Sequence, residues 1–233
     1  MFEFLQKSFL WEALDSGLLD DLDQKVSYQL KTAQDLRIYH ALKGCSDQRI
    51  AEIGGGDSRI LRKLAEKNRC FNIEKFEGRN AGPDAEIQIE GVENVSAYIG
   101  SFDDSLQPES FDIVFSISVV EHIKEDSLED FRDDMLRILR AGGLFLHAID
   151  MYIQNEPTEY AASRLDLYKR IFMENDSVMP LNPIAACKPI FETSMVSNPD
   201  NILYGWNLYA PHLSELRQHS QNVSLIAGGR KKG

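Results

Sequence analysis

Three consecutive glycines stand between an apolar run and a helical pattern, where a chain can bring its backbone close to a ligand. The stretch reads RIAEIGGGDSRIL from Arg49 to Leu61, with Gly54, Gly55 and Gly56 at its centre. Glycine lacks a Cβ and adopts positive φ readily, so a phosphate or nucleoside can approach such a turn. In open α/β sheets, ligands bind outside the carboxyl ends of the strands, which is where this turn would lie. The stretch therefore predicts a nucleotide-binding loop.

The residues around the loop favour one of two nucleotide patterns. A dinucleotide fingerprint, G-x-G-x-x-G, takes its first two glycines from Gly54 and Gly56, but Arg59 occupies the third position. The pattern E-x-G-x-G is complete, because Glu52 precedes the loop. Glu74 ends the next apolar run, where a carboxylate can accept both hydroxyls of a ribose. Both patterns include such a carboxylate, so Glu74 indicates a ribose-bearing ligand but does not identify which one.

Two residues are candidates for proton transfer. His122 lies in the segment SVVEHI, and a neutral imidazole near pH 7 can take a proton from a hydroxyl group. The alternative is that His122 only shapes the crevice. Asp150 follows the apolar run LFLHAI, where it either orients a substrate, acts as a base or caps a loop. His147 lies inside that run and is predicted to be a core histidine.

Short apolar runs and helical patterns alternate from residue 49 onward, and these elements must position the candidate residues. The strand patterns are RIAEI, CFNIEK, VSAYIG, FDIVFSIS and GGLFLHAI, and the helix patterns are SRILRKLAEK and LEDFRDDMLRILR. Such alternation is typical of βαβ units, so we predict an α/β fold with a mainly parallel sheet and helices on both faces. Gly142, after the second helix pattern, is predicted to cap that helix in the left-handed conformation.

The pattern divides the chain into three parts. Apolar residues at helical spacing, beginning with Phe2 and Leu5, predict an N-terminal helical lid over residues 1–45. Residues 46–150 form the predicted ligand-binding core, and residues 151–233 complete the fold on the substrate side. In the last part only NVSLIA reads as a strand, and the aromatic residues Tyr204, Trp206 and Tyr209 are either a substrate wall or core.

Composition limits the function classes. The chain has 233 residues and a formal net charge of −12, so a nucleic-acid partner is disfavoured because its phosphates would be repelled. The three cysteines form no CxxC pair and no ligand cluster is evident, so neither a disulfide framework nor a metal site is expected. No run reaches transmembrane length and the N-terminus has no signal-peptide pattern, so we expect a cytoplasmic protein without a membrane span.

The combination of these motifs resembles one family. Glu52 with the glycine loop is similar to motif I of the class I S-adenosylmethionine-dependent methyltransferases, although Ser58 stands where the family usually has a third loop glycine. The segment PESFDIVFSISVVEHI is similar to the family's fourth-strand block, with Asp112 in a structural role. The resemblance runs from Arg49 to Asp150. The cofactor-binding residues that it implies are Glu52, Gly54, Gly55, Gly56, Glu74, Ser101, Phe102, Ser116, Ile117 and Ser118.

The resemblance implies a Rossmann-like class I methyltransferase fold, S-adenosylmethionine as cofactor, and transfer of its methyl group to an acceptor. The chain lacks an N-P-P-Y-like tetrad of the kind associated with amino-group methylation, so we expect O-methylation of a small molecule or glycan by a tailoring enzyme. Two alternatives stay open, a non-catalytic module that binds S-adenosylmethionine and an NAD-dependent dehydrogenase. The family usually ends in two further strands at the sheet edge. Three alternatives stay open for this chain: the edge is shortened, it pairs with a second subunit in a homodimer, or the chain is a piece of a longer protein.

Overall fold

The computed structural model of the chain folds the alternating patterns into one eight-stranded sheet. It describes residues 1–6, 9, 12–13, 15–22, 30–78, 82–153, 159–182 and 221–233. The strands are β1 (Phe2–Phe4), β2 (Arg49–Ile53), β3 (Arg69–Ile73), β4 (Val92–Val95), β5 (Phe111–Ile117), β6 (Leu139–Ile153), β7 (Val178–Pro180) and β8 (Gln221–Lys231). The helices are α1 (Leu18–Asp21), α2 (Leu30–Leu42), α3 (Arg59–Leu64), α4 (Leu128–Ile138) and α5 (Glu159–Phe172), with short 3₁₀ turns at Val120–His122 and Glu125–Ser127.

The strand order is β1-β8-β6-β5-β2-β3-β4, and β7 also pairs with β8. Strands β4, β3, β2, β5 and β6 run parallel, whereas β8 is antiparallel to β6 and both β1 and β7 are antiparallel to β8. The predicted fold class is therefore confirmed, and the predicted strand NVSLIA lies within β8. The order reverses between β2 and β5, which is the switch point where α/β sheets bind ligands.

Strand residues alternate between two apolar layers, one on each face of the sheet. Ala51 and Val114 face the layer that contains Phe131 of α4, while Ile50 and Phe115 face the opposite layer. Helices α2 and α3 cover the second layer, and α4 and α5 cover the first. Because both faces are covered, the central strands are apolar on both sides, as is usual for parallel sheets. None of the described helices has the length and apolarity needed to cross a membrane.

The N-terminus corrects one prediction. Residues Phe2–Phe4 form an edge strand, not the start of a helix, and Phe2 lies opposite Ala227 of β8. Phe2 and Phe4 are buried while Glu3 between them is exposed, which is the period-two pattern of a strand. The spacing from Phe2 to Leu5 fits a helix equally well, so three residues did not carry enough information to separate the two.

The third parallel strand also lies elsewhere than predicted. It comprises Val92–Val95, whereas the sequence indicated VSAYIG, residues 95–100. Its pairing partner β3 runs only to Ile73, which faces Val95, so the chain has no ladder to join beyond that point. Gly100, Ser101 and Phe102 consequently follow the strand at a distance instead of ending it.

Strand β6 begins earlier and ends later than predicted. Helix α4 ends at Ile138, and Leu139 is already extended and paired with Phe111. Gly142 has the expected positive φ of 74°, but it lies within β6 beside a register shift and does not cap the helix. At the other end β6 continues to Ile153, so Asp150 lies inside the strand opposite Ser224 and not after it.

Candidate active site

The glycine loop is held closely by its neighbours at two positions. A Cβ added to Gly54, whose φ is 68°, would lie 2.6 Å from Cγ2 of Val119. A Cβ added to Gly55 would lie 2.8 Å from Oδ1 of Asn72 and 2.9 Å from Cδ of Glu52. Side chains therefore do not fit here, and the loop backbone remains open to a ligand on its other side.

Ser58 explains why the loop functions without a third glycine. It donates a hydrogen bond to the carboxyl group of Glu52, and its Oγ accepts one from the backbone N–H of Leu61 at 3.0 Å. Ser58 is thus the N-cap of α3 as well as the link between that helix and β2. Burial raises the pKa of Glu52 to about 7, and the bond from Ser58 counteracts part of that rise.

Asn72 is a site residue that the sequence reasoning missed. It is fully buried in β3, where its Oδ1 accepts from Gly55 N at 3.2 Å and its Nδ2 donates to Gly56 O at 3.0 Å. The side chain therefore bonds the glycine loop from the neighbouring strand. The pattern CFNIEK could have indicated this role, because a polar residue in an apolar central strand needs a hydrogen-bond partner.

Two cavities open along the carboxyl edge of the sheet. The first, of 510 Å³, extends from the glycine loop past the ends of β3 and β4 to α4, and Glu74, Ser101 and Tyr98 are among its lining residues. The second, of 590 Å³, lies between the glycine loop and α2. Both are bordered by the same four residues, Gly54, Gly82, Ser118 and His122. These four residues define the junction of the two cavities.

Some of the predicted cofactor-binding residues border the first cavity. Glu74 borders it, and its Oε1 accepts from the backbone N–H of Lys75 at 2.8 Å, which fixes the carboxylate at the strand end. Ser101 also borders it. Phe102 borders neither of these two cavities and is 45% exposed, so its predicted role stays a prediction.

Asp134, a second residue missed from the sequence, determines where this loop lies. Its Oδ2 accepts from the backbone N–H groups of Gly100 at 2.7 Å and Phe102 at 3.0 Å. Asp134 is fully buried and pairs with Arg137, whereas the neighbouring Asp133 is exposed. The backbone of the loop is therefore tied to α4, which leaves the Phe102 ring outside.

Helix α2 walls the second cavity with charged residues. Asp35, which is buried, accepts hydrogen bonds from the guanidinium group of Arg59, so this cation is already paired. Lys31, one turn earlier, donates from Nζ to the carbonyl oxygen of Ile117 at 3.3 Å. The predicted residues Glu52, Gly54, Gly55, Gly56, Ile117 and Ser118 all border this cavity.

A polar network lies behind the junction. Gln34 of α2 donates from Nε2 to Oδ1 of Asp150 at 2.6 Å and to Oγ of Ser224 at 3.0 Å. Ser118 Oγ lies within hydrogen-bonding distance of Gln34 Oε1, at 3.0 Å, and of Asp150 Oδ1, at 3.2 Å. Ser118 has a φ of 54°, which is unusual outside glycine and turns its side chain away from the strand alternation. The predicted residues Ser118 and Asp150 are therefore brought together.

Glu121 and His122 share one turn but face different surroundings. His122 is exposed and borders both cavities. Both carboxyl oxygens of Glu121 are buried, and neither has a hydrogen-bond partner in the described part of the chain. Burial and the nearby charge of Asp150 raise the pKa of Glu121 to about 8, and burial likewise raises the pKa of Asp150. The sequence reasoning selected His122 and overlooked the carboxyl group beside it.

Ser116 is the second predicted cofactor residue that lies away from the two cavities. It is fully buried, and its Oγ lies 2.8 Å from Nδ1 of His147. Neither residue borders the two cavities, because Ser116 lies inside the strand and faces the layer of α4 and α5. Burial lowers the pKa of His147 to about 3, so His147 is a neutral core histidine as predicted.

The remaining predictions fall into three groups. Asp112 is structural, because its carboxylate accepts from Arg49 N at 2.6 Å and pairs with Arg140. Within the described residues no group of three or more potential ligands could hold a metal ion. Tyr204, Trp206 and Tyr209 lie outside the described residues.

Comparison with known proteins agrees with this geometry. Residues 51–147, which contain the glycine loop, Glu74 and the segment up to His147, match the family model described as a methyltransferase domain. The chain has the fold of the class I S-adenosylmethionine-dependent methyltransferases, and its segment 51–147 is similar to a methyltransferase domain. The matched segment includes the ends of β2 and β5 that border the second cavity. No curated protein matches the chain.

Solved structures with the same fold share little sequence with this chain. Phosphoethanolamine N-methyltransferase 2 of Haemonchus contortus, in complex with S-adenosyl-L-methionine, is 16% identical, with a TM-score of 0.56 over 96% of this chain and 60% of that chain. Geranyl diphosphate C-methyltransferase of Streptomyces coelicolor A3(2), in complex with S-adenosyl-L-homocysteine, is 12% identical, with a TM-score of 0.53 over 99% of this chain and 92% of that chain. The chain thus spans less than two thirds of the first of these proteins and most of the second.

The described residues fit the cofactor of this family. The space that a Cβ would fill at Gly54 and Gly55 is taken by protein atoms, so the loop presents bare backbone to a ligand. A carboxylate at the end of β3 suits a ribose, and the two joined cavities suit a ligand with a nucleoside half and an amino-acid half.

Proposed function

We propose that the protein is an S-adenosylmethionine-dependent methyltransferase that transfers the sulfonium methyl group of this cofactor to an oxygen atom of a small-molecule or glycan acceptor. The observation that carries the proposal is the junction of the two cavities at Ser118 and His122, with Asp150 hydrogen-bonded behind Ser118. A methyl donor that spans both cavities would hold its reactive centre at that junction, next to groups that can take up a proton.

Residues from three strand ends would hold the cofactor. Glu74 and Ser101 would bind the nucleoside half, and the glycine loop would bind the amino-acid half together with Glu52. Ile117 and Ser118 would lie next to the reactive sulfur of the cofactor. Helix α2 would act as the lid predicted for residues 1–45, because Lys31 and the other polar residues of its inner face border the second cavity.

The chemistry asks little of the protein beyond positioning. Bound S-adenosylmethionine supplies an activated methyl group that is displaced in line by the acceptor. The side chains must align donor and acceptor, exclude water and, for an alcohol acceptor, remove one proton. His122 and Asp150 are the candidates for that proton, with Asp150 oriented by Gln34 and Ser118.

Four observations support the acceptor class. The net charge of −12 disfavours nucleic acid, and the absence of an N-P-P-Y-like tetrad favours oxygen over a base amino group. The cavities have the size of small-molecule sites. The solved neighbours carry names of N- and C-methyltransferases that act on phosphoethanolamine and geranyl diphosphate, which supports a small-molecule acceptor but not one chemical type.

Calorimetry with S-adenosylmethionine, S-adenosylhomocysteine and NAD tests the donor. We expect both adenosyl ligands to bind and NAD not to bind, and binding of NAD alone would favour the dehydrogenase alternative. A panel of hydroxylated, glycosylated and aminated acceptors, with S-adenosylhomocysteine release as readout, tests the acceptor. His122→Gln and Asp150→Asn are expected to lose turnover at unchanged cofactor affinity, whereas a non-catalytic module would show no turnover on any acceptor.

A further inference from the structure

The junction of the two cavities is the place where a charge would arrive with the methyl donor. A ligand with its nucleoside in the first cavity and its amino acid in the second would have its sulfur atom beside Ser118, since Ser118 borders both. In the donor this sulfur carries a positive charge, and in the product left after transfer it is neutral. This step rests on the proposed function.

Ser118 connects the junction directly to a carboxyl group. Its Oγ lies 3.2 Å from Oδ1 of Asp150, which also accepts a hydrogen bond of 2.6 Å from Gln34. Asp150 therefore has donors that favour its ionised form. A positive charge at the junction would act on Asp150 across a single side chain.

Glu121 adds a second carboxyl group that lacks such support. Both of its oxygens are buried, and neither has a hydrogen-bond partner within the described residues. Its own N–H and that of Asp150 are nevertheless near enough to favour the charged form. Burial and the charge of Asp150 favour the protonated form of Glu121, so we expect the pair to share one proton at neutral pH.

The charged and titratable groups around the pair come from several elements. Lys31 of α2 acts on both carboxyl groups and borders the second cavity. His122 acts on Asp150 from the turn after β5, and Tyr168 of α5 senses the charge of Glu121. None of these forms an ion pair with Glu121 in the described part of the chain. The bound ligand would therefore supply the missing positive charge.

We propose that Glu121 and Asp150 form a charge-responsive proton store that releases its shared proton when a sulfonium ligand occupies the junction and regains one when a neutral thioether is left there. The pair is thereby converted into a base only while the methyl donor is in place. The elevated pKa of both carboxyl groups agrees with a proton held in the free protein near pH 7.

The proposed cycle balances protons and electrons. On donor binding, the proton of the pair passes to the solvent. Methyl transfer then forms the acceptor O–CH₃ bond and breaks the S–CH₃ bond, whose electron pair stays on sulfur. The hydroxyl proton of the acceptor passes to the pair, which returns to its singly protonated form beside the neutral product. The single proton released overall is the one that O-methylation by a sulfonium must release.

Calorimetric titration in buffers of different ionisation enthalpy measures the released proton without an acceptor. At pH 7, S-adenosylmethionine should release on the order of one proton more per site than S-adenosylhomocysteine. Sinefungin, which carries an ammonium group in place of the sulfonium, should behave like S-adenosylmethionine. In Glu121→Gln the difference between the two adenosyl ligands should disappear, and in the exposed control Glu125→Gln it should persist.

Three results would overturn the proposal. Equal proton release for the charged and neutral ligands is the first. A difference that persists in both Glu121→Gln and Asp150→Asn is the second, since the proton would then come from another group such as Glu52. If Glu121→Gln does not fold, Asp150→Asn replaces it in the measurement of proton release. Retained affinity for S-adenosylhomocysteine shows that a variant is folded. Failure of both adenosyl ligands to bind the wild-type chain is the third, and it alone would also refute the proposed function.

Discussion

Gln34 and Asp150 are joined by a hydrogen bond of 2.6 Å although 116 positions separate them in the chain. The bond connects the N-terminal helix α2 to the centre of β6. A further bond from the same amide nitrogen reaches Ser224 of β8, so one fully buried side chain joins three elements behind the junction. This contact makes α2 part of the site wall.

Removal of the Gln34 side chain should therefore destabilise the fold and disturb the site together. We expect Gln34→Ala to lower the free energy of unfolding by about 1–3 kcal/mol, because buried polar partners lose their hydrogen bonds. Urea denaturation measures this loss. The exposed Gln107→Ala, which removes a single bond to the carbonyl oxygen of Asp104, is the matched control and should be nearly neutral. Equal losses in both variants would contradict the role of Gln34.

A methyl group at position 55 should weaken cofactor binding. In Gly55→Ala the added Cβ meets Asn72 Oδ1 at 2.8 Å, so either the loop or Asn72 must move. We expect a loss of about 1–3 kcal/mol in stability and a lower affinity for S-adenosylhomocysteine by calorimetry. Gly44→Ala is the control, because a Cβ there has no atom within 4 Å. Unchanged affinity in Gly55→Ala would show that the loop does not contact the ligand.

The two serines near the end of β5, the buried Ser116 and the partly exposed Ser118, should behave differently on substitution. Ser116→Ala removes the bond to His147 and is expected to cost about 1 kcal/mol of stability without change in S-adenosylhomocysteine affinity. Ser118→Ala removes a side chain that borders both cavities and should lower that affinity about tenfold, or about 1.4 kcal/mol. Chemical denaturation and calorimetry on the same samples separate the effects. A loss of affinity in Ser116→Ala would reinstate it as a cofactor residue.

The buried acids predict how stability depends on pH. Glu121 and Glu52 have pKa values of about 8 and about 7 in the folded chain, above the 4.5 of an ordinary glutamate. Between pH 4.5 and each folded-state pKa, the folded state therefore binds more protons than the unfolded state. Their contribution to stability is present at low pH and is lost as the pH rises through the folded-state pKa. The lowered pKa of His147 makes stability rise with pH instead, but this effect lies mainly below the ordinary histidine pKa of 6.5.

We therefore expect the free energy of unfolding to fall by about 1–2 kcal/mol between pH 6.5 and pH 8. Denaturation curves across this range measure the slope. Glu121→Gln should flatten it, whereas the exposed Glu125→Gln should leave it unchanged. A slope that is equal in all three proteins would show that Glu121 is not protonated in the folded state.

Much of the fold was predictable because its signals are local. The apolar runs of β2, β3 and β5 and the helix pattern of α4 each span enough residues to specify an element type, and the loop from Gly54 to Ser58 joins two of them. The shorter elements were not predictable in the same way. Phe2–Phe4 and Val92–Val95 are edge strands of three and four residues, and their bounds depend on the partner strand instead of on their own composition.

The sequence by itself determined the local contacts of the glycine loop, since Glu52 and Ser58 lie only six positions apart. The tertiary structure added Asn72, which bonds the loop from the neighbouring strand. Only the tertiary structure decided that Ser118 borders the cavities while Ser116 does not, and that Glu121 is buried near Asp150 while His122 is exposed. These contacts join elements far apart in the chain. Their geometry depends on the packing of α2, β6 and α5 around the strand ends, which no local pattern encodes.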